Sequence, residues 1–188
     1  DSLKKIEEYV GPTLDRLEEL SKKQGELIGL SSGFKAVDGV TQGLQKEDLI
    51  VIAGRPSMGK TSLAMNIAEN VAKEEDGCVL VFSLEMSSES LTSRMLASMA
   101  GISQQSFKSA NLTDRQWEKT IQKAKKLESM NIHIDDKPNI SPMEIRAKAR
   151  RLAKQYRKDG GVKLVVVDYI QLMQMPGRTE NRVNELSD

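Results

Sequence analysis

The run Gly54-Arg55-Pro56-Ser57-Met58-Gly59-Lys60-Thr61 places two glycines, a lysine and a hydroxyl at the G-x-x-x-x-G-K-[ST] spacing. The chemistry of that pattern is phosphate binding. Glycines let the backbone turn tightly enough for several N–H groups to point at phosphate oxygens, and a helix that follows adds the positive end of its dipole. In such a clamp Lys60 reaches the β- and γ-phosphates, the Thr61 hydroxyl ligates magnesium, and Ser62 extends the nucleotide-binding set that begins at Gly54.

Magnesium held on phosphates needs a second anchor. The candidate is Asp168, the acid that ends the apolar run Leu164-Val165-Val166-Val167, because ligands gather at the carboxyl ends of parallel strands. A structural Asp in a turn is the alternative. Hydrolysis also needs a group that orients and deprotonates water. Residue 169 is Tyr, so no acid follows Asp168 directly; Glu85, delivered by the run Cys78 to Phe82, is the candidate general base. The alternative for Glu85 is a cap on the helix starting near Ser88. Gln171 either senses a γ-phosphate or is an ordinary surface residue. The single histidine, His133, is flanked by Ile132 and Ile134 and is not expected to be catalytic. Asp135-Asp136-Lys137-Pro138 reads as a turn rather than a metal site, and Arg94 as a solvated arginine, with an approach to the nucleotide or to a subunit boundary as the alternative.

These groups must be positioned by strands and helices. Leu49 to Ala53 predicts a short buried strand before the clamp, and Thr61 to Ala72 a helix with Leu63, Ile67 and Val71 at helical spacing. Further apolar runs, Val79 to Phe82, Ile132 to Ile134 and Leu164 to Val167, alternate with amphipathic segments. Ser88 to Ala100 carries Leu91, Met95 and Met99 on one face. Thr113 to Met130 carries Trp117, Ile121 and Ala124, with Thr113 and Gln116 spaced as a capping box. Ser141 to Lys158 turns Ile145, Ala149, Leu152 and Tyr156 inward and Arg146, Arg150, Lys154 and Arg157 outward. That outward face reads as solvated, with a DNA-phosphate contact as the alternative. The rhythm is α/β: a parallel sheet covered by helices on both faces.

Ahead of this core, Leu3, Ile6, Val10, Leu17 and Leu20 form a stripe at three-four spacing, with Gly11-Pro12 expected to break the segment and start a second helix. The stripe packs either on its own domain or on a neighbouring subunit. Residues 1–25 are read as a helical region ahead of the main domain, 26–188, which is entered through a short helical piece at Phe34 to Val40. Past Asp168, the segment Met175 to Arg182 lacks apolar periodicity and reads as a loop. Its Arg178 and Arg182 are the first candidates for nucleic-acid contact, against an ordinary exposed connection.

Composition narrows the class. With 28 basic and 27 acidic residues in 188, no global field favours a polyanion, so any DNA contact must come from local charge. One cysteine, Cys78, excludes an internal disulfide framework and suits a reducing, cytoplasmic setting as a small core residue. No apolar run approaches the ~20 residues of a membrane span. A chain that opens Asp1-Ser2 and stops at Leu186-Ser187-Asp188 is expected to be a fragment.

The clamp Gly54 to Thr61, the segment Ser83 to Ser87 and Asp168-Tyr169-Ile170-Gln171-Leu172 together resemble the DnaB-type replicative DNA helicases. The resemblance extends through Ser32-Gly33-Phe34, Arg94 to Ala97, Ile134-Asp135-Asp136, Arg146 to Leu152 and Gly177 to Arg182, nearly the whole chain. It implies a RecA-like P-loop NTPase core, incomplete at its carboxyl end and preceded by a linker helix that packs on the adjacent subunit. It also implies a homohexameric ring that hydrolyses ATP with Mg2+ and translocates on single-stranded DNA, with primase and a helicase loader as partners. By the same resemblance Lys60 and Glu85 match the family's catalytic positions, and Thr61 and Asp168 its magnesium positions. The amino-terminal domain, the later strands and the arginine finger lie outside this chain, so the fragment alone is expected to bind nucleotide without unwinding. The alternatives are a recombinase or clock-type RecA relative that assembles without unwinding, a nucleotide-binding assembly or docking module, and, more distantly, a small-molecule kinase or GTPase.

Overall fold

A computed structural model describes residues 3–55 and 57–169, and in them the alternation of apolar runs and amphipathic segments becomes seven helices and three strands. The chain divides into two units, residues 1–50 and 51–188.

In the first unit, α1 (Glu7–Lys22) is a single helix that passes straight through Gly11 and Pro12. The expected break does not occur. Proline interferes with a helix by removing one N–H, by pressing on the carbonyl four residues back and by crowding the residue before it, and the last of these is eased here because that residue is Gly11, which has no Cβ. Thr13 Oγ1 donates to the Tyr9 carbonyl at 2.6 Å one residue further on. None of the residues of α1 is buried, so its apolar stripe is uncovered by the described residues of its own unit. α2 (Lys35–Thr41) follows, strapped in by paired backbone bonds between Leu30 and Leu44 at 2.8 and 2.9 Å. Asp38 ties the strap to the helix: it accepts from Ser31 Oγ at 2.6 Å, Ser32 Oγ at 2.7 Å and Ser32 N at 2.8 Å. Desolvation pushes the Asp38 carboxyl up, but these serine hydrogen bonds outweigh it and hold its pKa below the ordinary value.

The second unit is an α/β layer structure. Its strands β1 (Cys78–Ser83), β2 (Ile132–Asp135) and β3 (Val162–Asp168) lie in the order β2-β1-β3, all parallel. β1 is central and buried at every position, as a strand covered on both faces must be. Leu80, Phe82 and Leu84 point to one face and pack with Ile140 against Ile145, Ala149 and Leu152 of α7 (Pro142–Gln155). The alternate residues Val79 and Val81 are equally buried on the opposite face, where α3 (Lys60–Glu74) supplies Ala68 and Val71. Cys78 is part of this core, and burial pushes its thiol pKa up. α4 (Ser88–Ala100) packs against α5 (Gln104–Lys108) and α6 (Asp114–Glu128). The capping box expected at Thr113 and Gln116 forms as read, and a second, at Ser141 and Glu144, starts α7.

Two expectations fail here. Leu49 to Ala53 is not a strand; Leu49 and Val51 are exposed by 84% and 68%. An apolar run becomes a strand only when a neighbour supplies the hydrogen-bond ladder, and among the described residues none pairs with it. On α6, Trp117 and Ile121 are exposed rather than inward. Its buried position is Thr120, because the helix rests on α4 through a face rotated from the one that Trp117 and Ile121 mark. Among the described residues no helix is long and apolar enough to cross a membrane.

Candidate nucleotide-binding site

The clamp ends where α3 begins. Gly59 is the residue before the helix, with φ +85°, a left-handed conformation that glycine adopts without strain. Met58 N donates to the Arg55 carbonyl at 3.2 Å, closing the turn, and Leu63 N donates to the Gly59 carbonyl at 2.9 Å, opening the helix. Pro56 lies outside the described residues. Lys60, Thr61 and Ser62 are thus the first three residues of α3. Among the described residues no side chain caps this helix and no acid stands in its first turn, so its leading N–H groups and positive dipole end suit an anion.

Parallel pairing brings the acids to the same edge. Ser83 on β1 is in register with Asp168 on β3, and Leu84 N donates to the Asp168 carbonyl at 2.7 Å. The Asp168 carboxylate reaches across to the clamp, accepting from Thr61 Oγ1 at 2.8 Å over a separation of 107 residues. Two oxygen donors so placed suit a hard cation. Among the described residues no group of three or more His, Cys, Asp or Glu could cage a metal.

Glu85 lies one residue beyond Leu84, exposed at the carboxyl edge of the sheet. The cap of α4 belongs elsewhere. Ser87 accepts from Ser90 N at 3.2 Å, and Asp136 Oδ2 accepts from Ser88 N at 2.6 Å, a bond that draws the Asp136 pKa down. Ser83 Oγ donates to the Met86 carbonyl at 2.8 Å and fixes the turn that carries Glu85.

Asp135 and His133 take part in local hydrogen bonding. Asp135 accepts from Lys137 N at 3.0 Å and from Lys148 Nζ, the turn expected of Asp135 to Pro138. His133 pairs with Asn131 Oδ1 at 2.9 Å and meets the Tyr156 ring edge-on at 5.4 Å. Arg94, Arg146, Arg150, Lys154 and Arg157 form no ion pair among the described residues. Gln171, Arg178 and Arg182 lie outside the described residues. Two participants escaped the sequence reading. Asp136, an acid next to a turn, gave no sign that it would cap a helix 48 residues away. Tyr169, to which the sequence assigns no contact, has its ring centroid 5.8 Å from Lys60 Nζ.

Comparison with known proteins places this geometry. The family described as "DnaB-like helicase C terminal domain" matches residues 29–188. The replicative DNA helicase DnaC of Bacillus subtilis strain 168 is 41% identical over 184 residues, which is 97% of this chain and 40% of that protein. The replicative DNA helicase DnaB of Pasteurella multocida is 44% identical over 180 residues, covering 94% of this chain and 38% of that protein. The chain thus spans about 40% of the length of such relatives. Among solved structures, one ATPase domain superposes with a TM-score of 0.83 at 30% identity, over 97% of this chain and 63% of that one. A DnaB-like replicative helicase, solved to study its interactions with primase, gives 0.80 at 29% identity, over 99% of this chain and 43% of that one. With the clamp, the paired strands and Asp168 arranged as described, this chain belongs to the DnaB-like helicase C-terminal domain family.

Proposed function

We propose that this chain is the front part of an ATP-driven replicative DNA helicase motor. The observation that carries the reading is the Thr61–Asp168 hydrogen bond, which ties the clamp helix to the end of β3 beside Glu85. In this reading the backbone from Gly54 to Gly59 and the leading N–H groups of α3 hold the triphosphate. Lys60 spans its β- and γ-groups, and Thr61 and Asp168 hold Mg2+. When bound, the metal neutralises charge building on the phosphoryl group. Glu85 orients the attacking water and accepts its proton.

The names of the relatives support DNA as the track, and the solved helicase studied with primase supports primase as a partner; the homohexameric ring and the loader rest on the resemblance of the motifs. Arg178 and Arg182 remain candidate DNA contacts in this proposal. The uncovered stripe of α1 supports an intersubunit role for residues 1–25, since nothing in its own unit buries it. That same exposure favours a second reading, in which the segment serves assembly or docking without unwinding.

Strand displacement on forked DNA by the full-length protein separates the two. Mg2+- and ATP-dependent unwinding, lost in Glu85→Gln, is expected. ATP turnover with no unwinding would favour the second reading, assembly or docking without unwinding. Sedimentation of full-length Leu17→Glu with ATP and Mg2+ tests the linker: a smaller assembly is expected, and an unchanged one counts against linker-driven assembly.

A further inference from the structure

We propose that Tyr169 is a positioning residue for the clamp lysine, holding the Lys60 ammonium in place before nucleotide arrives. This rests on the clamp being a nucleotide site. Two successive residues of α3 meet two successive residues at the end of β3: Thr61 bonds Asp168, and Lys60 Nζ stands 5.8 Å from the Tyr169 ring centroid. The lysine is guided along its whole length. Its stem runs past Gly54, where a Cβ would lie 3.4 Å from Lys60 Cγ and 3.6 Å from Cδ, and its head comes to rest at the aromatic ring.

An ammonium in this position needs such a partner. It stands at the uncapped, electropositive start of α3, and among the described residues no carboxylate forms an ion pair with it. A ring face within about 6 Å attracts a cation through its quadrupole, so Tyr169 offsets the unfavourable field until phosphate replaces it. Without the ring Lys60 is free to swing into solvent, and binding a triphosphate must then order a four-carbon chain. The ring is what matters, not the phenol hydroxyl.

The test uses the full-length protein and two readouts. The first is the acylation rate of Lys60 by acetic anhydride in nucleotide-free protein, read by mass spectrometry; the second is affinity for a fluorescent ATP analogue with Mg2+. Tyr169→Leu should raise the labelling rate and weaken analogue binding, each by about two- to fivefold, the worth of an exposed cation–π contact. Tyr169→Phe should restore both. In a Lys60→Met background Tyr169→Leu should cost no further affinity. A Tyr169→Phe variant as impaired as Tyr169→Leu, unchanged labelling in Tyr169→Leu, or an equal loss in the Lys60→Met background would overturn the positioning role alone. Unchanged affinity in Lys60→Met itself would sink the nucleotide reading, and the positioning role with it.

Discussion

Thr61 Oγ1 and Asp168 Oδ2 lie 2.8 Å apart, although 107 residues separate them in the chain, and this bond joins a helix start to a strand end. The strength of hydrogen bonds to charged groups, ~1.5–3 kcal/mol, sets the scale of what either side chain contributes. Thr61→Val and Asp168→Asn are each expected to weaken Mg2+-dependent ATP binding by about 10- to 100-fold while sparing the weaker binding seen in EDTA. Titration with a fluorescent analogue, with and without Mg2+, checks this; equal losses in both conditions would remove the metal role.

Glu85 is expected to act on turnover rather than on affinity, because it stands at the sheet edge and takes no part in capping α4. Glu85→Gln in the full-length enzyme should lower ATP turnover by about 10²- to 10⁴-fold with nucleotide affinity kept. Steady-state ATPase alongside equilibrium binding decides it. Unchanged turnover takes Glu85 out of the mechanism.

Glu144 offers a pH signature. Its carboxylate accepts from Lys137 Nζ at 2.5 Å and from Ser141 N at 2.9 Å, and these bonds draw its pKa from 4.5 down to about 2. A carboxylate with a lowered folded-state pKa stabilises the fold at neutral pH, and that stabilisation disappears as pH falls from about 4.5 through about 2. The melting-temperature gap between wild type and Glu144→Ala should therefore be largest near neutrality and narrow across that window. A gap independent of pH would show that charge on Glu144 contributes nothing. The partner half of the box, Ser141→Ala, should cost about 1 kcal/mol with little pH dependence.

Phe82 is fully buried on the central strand, among Leu80, Leu84 and Ile140. Phe82→Ala should destabilise the unit by ~3–5 kcal/mol, measured by urea unfolding, because β1 has helices on both faces and cannot collapse into the space. A loss below about 1 kcal/mol would mean the core is not packed as described.

The clamp, the three strands of the sheet and the helices between them were legible because each depends on local pattern: glycine spacing, short apolar runs, and capping boxes. Asp168 and Glu85 could be placed at one edge because parallel strands carry their carboxyl ends together, and the register of Ser83 with Asp168 agrees with that placement. What failed depended on neighbours. Leu49 to Ala53 has strand composition without a ladder, and Trp117 and Ile121 have helical spacing without an element to cover them. Pro12 does not end α1: Gly11 before it presents no Cβ to the ring, so the proline's remaining cost is the lost backbone bond and the crowding of the carbonyl four residues back. Tyr169 and Asp136 act on groups far away in sequence, and no one-dimensional pattern encodes such pairs.

The bare surface of α1 also makes it a gauge. Sixteen residues with no buried side chain stand close to the length at which an isolated helix barely holds in water, and Pro12 removes one of its backbone bonds. Its amides should therefore exchange with deuterium at a rate set by whatever covers the stripe. Slow exchange across residues 7–22 would show a cover on this face, and under the proposed intersubunit role protection should rise with assembly.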